Sequence, residues 1–128
     1  MNKKITATAA FLGMVAIILG AFGAHALKKV LTPEQVISFE TGVRYQMYQA
    51  FFLFFLATQN DILEKTKKTI FALILSGTLF FSGSIYLLST TGITRVNFKS
   101  IGFITPIGGL LLILAWGMFG YSIIQSRK

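Results

Sequence analysis

A long apolar run at residues 5–27 constrains the fold of this chain more than any other feature of its sequence. His25 is its only strongly polar member. At about 1.5 Å per residue, a helix over this run can cross a hydrocarbon core of roughly 30 Å. The whole chain is 54% hydrophobic and only 12% charged, well outside the composition of a soluble domain. The sequence therefore predicts an integral membrane protein.

A cleaved signal peptide is the alternative interpretation of this first run. Lys3 and Lys4 give it a basic start, and Ala24-His25-Ala26 imitates a cleavage site with small residues. The apolar core of a signal peptide is, however, only about 7–15 residues long. The length of the run favours a retained first span.

A second helix is predicted to begin at Thr32-Pro33. Thr32 can cap it, Pro33 suits the first helical position, and Gln35 occupies the capping-box position. Residues 33–43 are amphipathic, and the helix is expected to continue as a span at about 43–59. Because the fully apolar part of that span is short, a re-entrant segment remains open as an alternative.

Two further spans are predicted at about 69–88 and 105–124, with a polar loop between them. Thr105-Pro106 is expected to cap and open the last helix. The predicted fold is an all-α integral membrane protein. It has one membrane domain over residues 1–128, a four-transmembrane-helix bundle with an amphipathic extension before helix 2.

The basic residues are scattered between the apolar runs, although the net charge is +8. Nucleic-acid binding requires a concentrated basic surface, so we expect no nucleic-acid partner. Four spans would place both termini and the 60–68 loop on one side, which carries more basic residues than the other. This bias favours a cell-membrane protein with cytoplasmic termini. The residues on the terminal side are Lys3, Lys4, Lys65, Lys67, Lys68, Arg127 and Lys128; those opposite are Lys28, Lys29, Arg44, Arg95 and Lys99.

Small residues recur along the predicted spans and allow helices to approach closely. Their spacing fits packing within the bundle, and it also fits a homo-oligomer interface; membrane lipids are the other expected partners. The candidate packing residues are Gly13, Ala16, Gly20, Gly23, Ala24, Gly77, Gly83, Gly109, Gly117 and Gly120.

Polar residues near the membrane core are costly and are therefore candidates for function. The expected polar core or ligand-facing set is His25, Glu40, Arg44, Tyr45, Gln46, Tyr48 and Gln49. Glu40, Arg44 and Tyr48 share one helix face, where an interfacial ion pair is the simplest role. With no Cys and one His, we expect no metal, no other cofactor and no catalytic residue.

Four ordered motifs resemble the DUF423 family of small multi-pass membrane proteins. They are GAFGAHAL at 20–27, FETGVRYQMYQA at 39–50, FSGSIYLL at 81–88, and ITPIGG at 104–109 followed by Trp116-Gly117. The resemblance covers nearly the whole chain and implies a multi-pass topology, with the first two motifs contributing a shared polar core. Family members commonly carry a His at the position of Gln49. Because Gln cannot take up a proton, hydrogen bonding is the expected role here.

Three functions stay open from the sequence. The favoured one is a non-catalytic membrane component that packs lipid or partner proteins and supports membrane integrity. The second is a small oligomeric transporter or channel component with His25, Arg44, Gln46 and Gln49 along a polar path. The third is a lipid- or quinone-binding enzyme acting through Glu40, Arg44 and Tyr48.

Overall fold

The computed structural model describes residues 2–90 and 102–126, and this part of the chain is helical without strands. Helix α1 is Asn2–His25, followed by a short 3₁₀ turn at Leu27–Lys29. Helix α2 is Pro33–Thr58 and helix α4 is Ile104–Gln125. Helix α3 runs continuously over Glu64–Ser89. Most of the loop predicted before the last helix lies outside the described residues, as do Arg127 and Lys128.

The start of α2 is the one that its sequence predicts. The Thr32 hydroxyl accepts from the Gln35 amide nitrogen at 3.2 Å, and the Thr32 amide nitrogen donates to the Gln35 side chain at 3.0 Å. This reciprocal capping box, with Pro33 in the first turn, fixes where the helix begins. The helix then continues to Thr58 without a break between its amphipathic and apolar parts.

Helices α1 and α2 form an antiparallel pair, and glycines of α1 allow the two helices to pack closely. A Cβ placed on Gly23 would lie 3.1 Å from the Phe39 ring, and one on Gly20 would lie 3.5 Å from Val43. A Cβ on Gly13 would lie 3.8 Å from that of Ala50. The small residues of α1 thus allow α2 to lie against it over most of its length.

Helix α3 contains a π-helical segment, Leu79–Gly83, between α-helical Glu64–Thr78 and Ser84–Ser89. Helix α4 packs against this region at Gly108, where an added Cβ would lie only 2.3 Å from the Phe81 amide nitrogen. Helix α4 begins one residue before Thr105, and its N-cap residue, Phe103, makes no side-chain capping bond. Thr105 does not cap the helix as predicted; its hydroxyl instead hydrogen-bonds that of Ser84.

The larger apolar core joins α1, α2, α3 and α4, with Ile5, Leu53, Leu56 and Ile70 among its fully buried members. In the described residues, three helical stretches are long and apolar enough to cross a membrane: Asn2–Lys29, Glu64–Ser89 and Ile104–Gln125. Helix α2 is not among them, because six residues of the predicted polar core, from Glu40 to Gln49, lie within it. Many apolar side chains of the three candidate spans point outward, as lipid contact requires.

Candidate functional site

Gln46 lies at the centre of a polar cluster that links three helices, and its side chain is 4% exposed. Its Nε2 donates to the Leu12 carbonyl of α1 at 2.9 Å, and its Oε1 accepts from the Tyr86 hydroxyl of α3 at 2.6 Å. A carbonyl can only accept, so the orientation of the Gln46 amide is fixed by Leu12. Gln46 therefore holds α1, α2 and α3 in register.

Ser82 extends this cluster within the π-helical segment. Its hydroxyl donates to the Gly42 carbonyl at 2.7 Å and is 2% exposed. Gly42 itself gives room to Tyr86, since an added Cβ would lie 2.7 Å from the tyrosine ring. The glycine thus permits the close approach of α2 and α3 that both hydrogen bonds require.

A groove of about 460 Å³ opens between α1 and α3 above this cluster; we call it the α1–α3 groove. Apolar side chains form its walls, including Phe11, Leu12, Leu75 and Leu79, and the polar cluster forms its floor. Thr78 also lines it, is 5% exposed, and has a buried hydroxyl oxygen with no hydrogen-bond partner among the described residues.

Gln49 links a different pair of helices, α2 and α4. It is 3% exposed, and its Oε1 accepts from the Trp116 indole nitrogen of α4 at 2.9 Å. Phe52, one turn further along α2, also packs on Trp116, with ring centroids 4.6 Å apart. The two predicted glutamines thus bond in different directions, Gln46 towards α1 and α3 and Gln49 towards α4.

The charged residues of the predicted set do not join the two glutamines. His25, Glu40 and Arg44 have exposed side chains, and no ion pair links Glu40 to Arg44. Tyr45 and Tyr48 are 40% and 45% exposed and contact each other edge to face, with centroids 5.3 Å apart. His25 lies at the end of α1, and Glu40 and Arg44 lie on the outer surface of α2, whereas Tyr45 and Tyr48 line a groove that Gln49 also lines. In the described part of the chain, no group of His, Cys, Asp and Glu is placed to hold a metal.

The predicted small residues fall into two groups. Gly13, Gly20 and Gly23 face α2, and Gly77 faces Leu112 of α4. Gly117 and Gly120 would have no neighbour within 4 Å of an added Cβ, and Ala24 is exposed. The first group packs the bundle. The second group makes no such contact with described residues, and its use in an oligomer stays a prediction.

Several residues of the site were not found from the sequence. Tyr86, Ser82 and Trp116 donate the bonds described above, but in the sequence they are ordinary members of apolar spans. The sequence predicts Lys67 only as a basic loop residue, yet it is 2% exposed, and its Nζ donates to Asn2 Oδ1 at 2.8 Å and to the Gln59 carbonyl. A buried polar side chain gives no sequence pattern when its partners lie on other helices.

Comparison with known proteins agrees with this architecture. Residues 19–109 match the family described as protein of unknown function (DUF423). The UPF0382 membrane protein YwdK of Bacillus subtilis is 39% identical over 114 residues, covering 88% of this chain and 89% of the relative. A UPF0382 membrane protein of Haemophilus influenzae is 31% identical over 128 residues, covering 100% and 99%.

The UPF0382 inner membrane protein YgdD of Escherichia coli is similar at 29% identity over 124 residues, covering 94% of this chain and 88% of the relative. No solved structure matches. Since the family match covers well over half of the chain and its relatives are named membrane proteins, this chain belongs to the DUF423 family of membrane proteins.

Proposed function

We propose that this protein is a non-catalytic multi-pass membrane component that packs membrane lipid in the α1–α3 groove. The proposal rests on the hydrogen bonding of the polar side chains that form the groove floor. Gln46, Tyr86 and Ser82 are already hydrogen-bonded within the chain. With these three side chains already bonded, and only the Thr78 hydroxyl left without a partner among the described residues, a floor between apolar walls suits an acyl chain better than a polar solute.

The same geometry disfavours a transport path. A path through one chain would need its polar residues to face one space, but Gln46 and Gln49 bond to different helices. His25 and Arg44 are exposed, away from both. Passage of ions or small solutes through liposomes containing the purified protein would contradict the proposed lipid-packing role and favour a transporter or channel.

The proposal includes a fourth crossing by α2. Buried Ile5 and Ala9 of α1 belong to one core cluster with Leu53 and Leu56 of α2, and Gly23 faces Phe39 at the other end. The part of α1 between residues 5 and 23 is about 27 Å long, close to the roughly 30 Å of a hydrocarbon core. A helix that accompanies a spanning α1 over this length crosses with it.

Cytoplasmic termini complete the proposed topology. The chain has no Cys, so single cysteines can be introduced directly. We expect a membrane-impermeant maleimide to label Lys29→Cys in intact cells, and Lys3→Cys and Asp61→Cys only after the cells are opened. Labelling of Asp61→Cys and Lys29→Cys from the same side would refute the crossing of α2.

The lipid proposal is tested by filling the groove. Gly83 lines it, and an added Cβ would lie 3.8 Å from Leu79, so Gly83→Leu adds a side chain without a backbone clash. Native mass spectrometry of protein released from micelles containing phosphatidylethanolamine should show the lipid retained by the wild type and lost from Gly83→Leu. Gly120→Leu is the matched control, because no atom lies within 4 Å of its added Cβ. Equal retention by both variants would refute the proposal.

A further inference from the structure

A second groove, of about 650 Å³, lies between α2 and α4 and shares no lining residue with the α1–α3 groove. We call it the aromatic groove. Its walls are largely aromatic: the rings of Tyr45 and Phe81 have centroids 5.1 Å apart, and Tyr48 and Trp116 complete the lining. Gly109 also lines it, and the missing side chain there keeps it open.

The aromatic groove contains an unused hydrogen-bond donor. An indole N–H can only donate, so the Gln49 atom that faces Trp116 must be the amide oxygen. The Gln49 Nε2 group, with two N–H bonds, then has no partner among the described residues. Gln49 is 3% exposed and lines the groove. An amide donor left unpaired at this depth is costly, and a ligand that accepts a hydrogen bond removes that cost.

The depth of Gln49 in the membrane limits which ligands can reach its amide nitrogen. The next residue, Ala50, faces Gly13 of α1. Gly13 is about 5 Å of helix from the midpoint between Lys4 and Lys28, which flank the apolar run at residues 5–27. The ester carbonyls of phospholipids lie at the edges of a core roughly 30 Å thick, so they are out of reach of Gln49. The acceptor must belong to an apolar molecule whose polar atoms enter the core.

We infer that the aromatic groove binds the head of a lipophilic quinone, with one ring carbonyl accepting from Gln49 Nε2 and the flat ring lying among the aromatic side chains. Offset or edge-to-face contacts with Tyr45, Phe81 and Trp116 favour a planar ring over an acyl chain. Leu112 and Ile113 also line the groove, and their apolar side chains suit an apolar tail. The inference concerns binding and is independent of the lipid proposed for the α1–α3 groove.

Trp116 supplies a direct test, because it is the single Trp of the chain and lines the groove. The full-length protein in detergent micelles is titrated with decylubiquinone, and Trp116 fluorescence is recorded. We expect saturable quenching in the wild type. Gly109→Phe adds a ring at a position that lines the groove while keeping both Gln49 and Trp116, and it should weaken binding about tenfold or more, as should Gln49→Leu. Gly117→Phe, whose added Cβ has no neighbour within 4 Å, should bind as the wild type does.

Two molecules added in competition with the quinone test the inference on the wild-type protein, so the test does not depend on whether a variant folds. Decylbenzene has the tail and a ring but no carbonyl, and it should not displace the quinone from the wild-type protein. Added phosphatidylethanolamine should not displace it either. Quenching that never saturates, equal affinity in Gly109→Phe and Gly117→Phe, or displacement by either competitor would overturn the inference.

Discussion

Gly108 allows the closest approach between helices α3 and α4, and replacing it by alanine measures the importance of that contact. The added Cβ would lie 2.3 Å from the Phe81 amide nitrogen and 2.7 Å from the Phe80 carbonyl carbon. Both are backbone atoms and cannot rotate away. Because ordinary contact begins at 3.4 Å, α4 must move by about 1 Å.

The expected cost follows from this displacement. A gap of about 0.5–1 Å removes a quarter to a half of the dispersion energy of each contact, and inserting an extra methyl group into a packed core costs about 1–3 kcal/mol. Since the clash involves backbone on both sides, we expect Gly108→Ala to lower the free energy of unfolding by about 2–3 kcal/mol relative to its control. The measurement is reversible unfolding in mixed micelles, followed by far-ultraviolet circular dichroism.

Gly109→Ala is the matched control. Its Cβ would lie 3.5 Å from the Phe81 ring, an ordinary contact, so we expect no steric cost and only the gain in helix propensity. Both substitutions replace glycine by alanine in neighbouring positions of one helix, so the roughly 1 kcal/mol gain in helix propensity cancels in their difference. If the two variants unfold with the same free energy, the steric explanation of Gly108 is wrong.

Three further predictions concern the buried polar side chains. In a double-mutant cycle of Gln46→Leu and Tyr86→Phe, unfolding should show a coupling energy of about 0.6 kcal/mol and at most about 1.7 kcal/mol; zero coupling would contradict the hydrogen bond between them. Thr78→Val should raise the free energy of unfolding by about 1 kcal/mol, because it removes a buried hydroxyl without a partner in the described residues. A clear loss of stability would show instead that the hydroxyl is hydrogen-bonded in the membrane. Lys67→Met should lower the free energy of unfolding by about 2 kcal/mol, because it removes charged hydrogen bonds at a buried site. Lys68→Met, at an exposed neighbour, should change it by less than about 0.5 kcal/mol. Equal losses of stability in the two variants would refute a specific role for Lys67.

Part of the site was accessible from the sequence because some rules are local. The capping box at Thr32 and Gln35 depends only on residues three apart, and it is present as predicted. The interest in Gln46 and Gln49 arose because amides are costly within apolar runs, and both are buried. Their partners were not predictable, because hydrogen bonds between helices depend on how the helices are placed.

The π-helical segment of α3 is another feature that the sequence does not predict. Nothing in the sequence at Leu79–Gly83 distinguishes it from ordinary α-helix, yet Ser82 donates to the Gly42 carbonyl from within it. The predicted packing residues likewise include Gly109 and not Gly108, although the structure places Gly108 at the tighter contact. One residue along a helix turns a side chain by about 100°, so sequence spacing alone does not choose between neighbouring glycines.

The sequence by itself determined that this is a helical membrane protein, because apolar runs of sufficient length have few other stable states, and its motifs identified the family. The tertiary structure decided which helices meet and therefore which polar atoms are satisfied. It assigned Gln46 to α1 and α3, gave the oxygen of Gln49 to Trp116, and left the Gln49 amide nitrogen in the aromatic groove. These outcomes depend on distances between segments far apart in the chain, which no local pattern encodes.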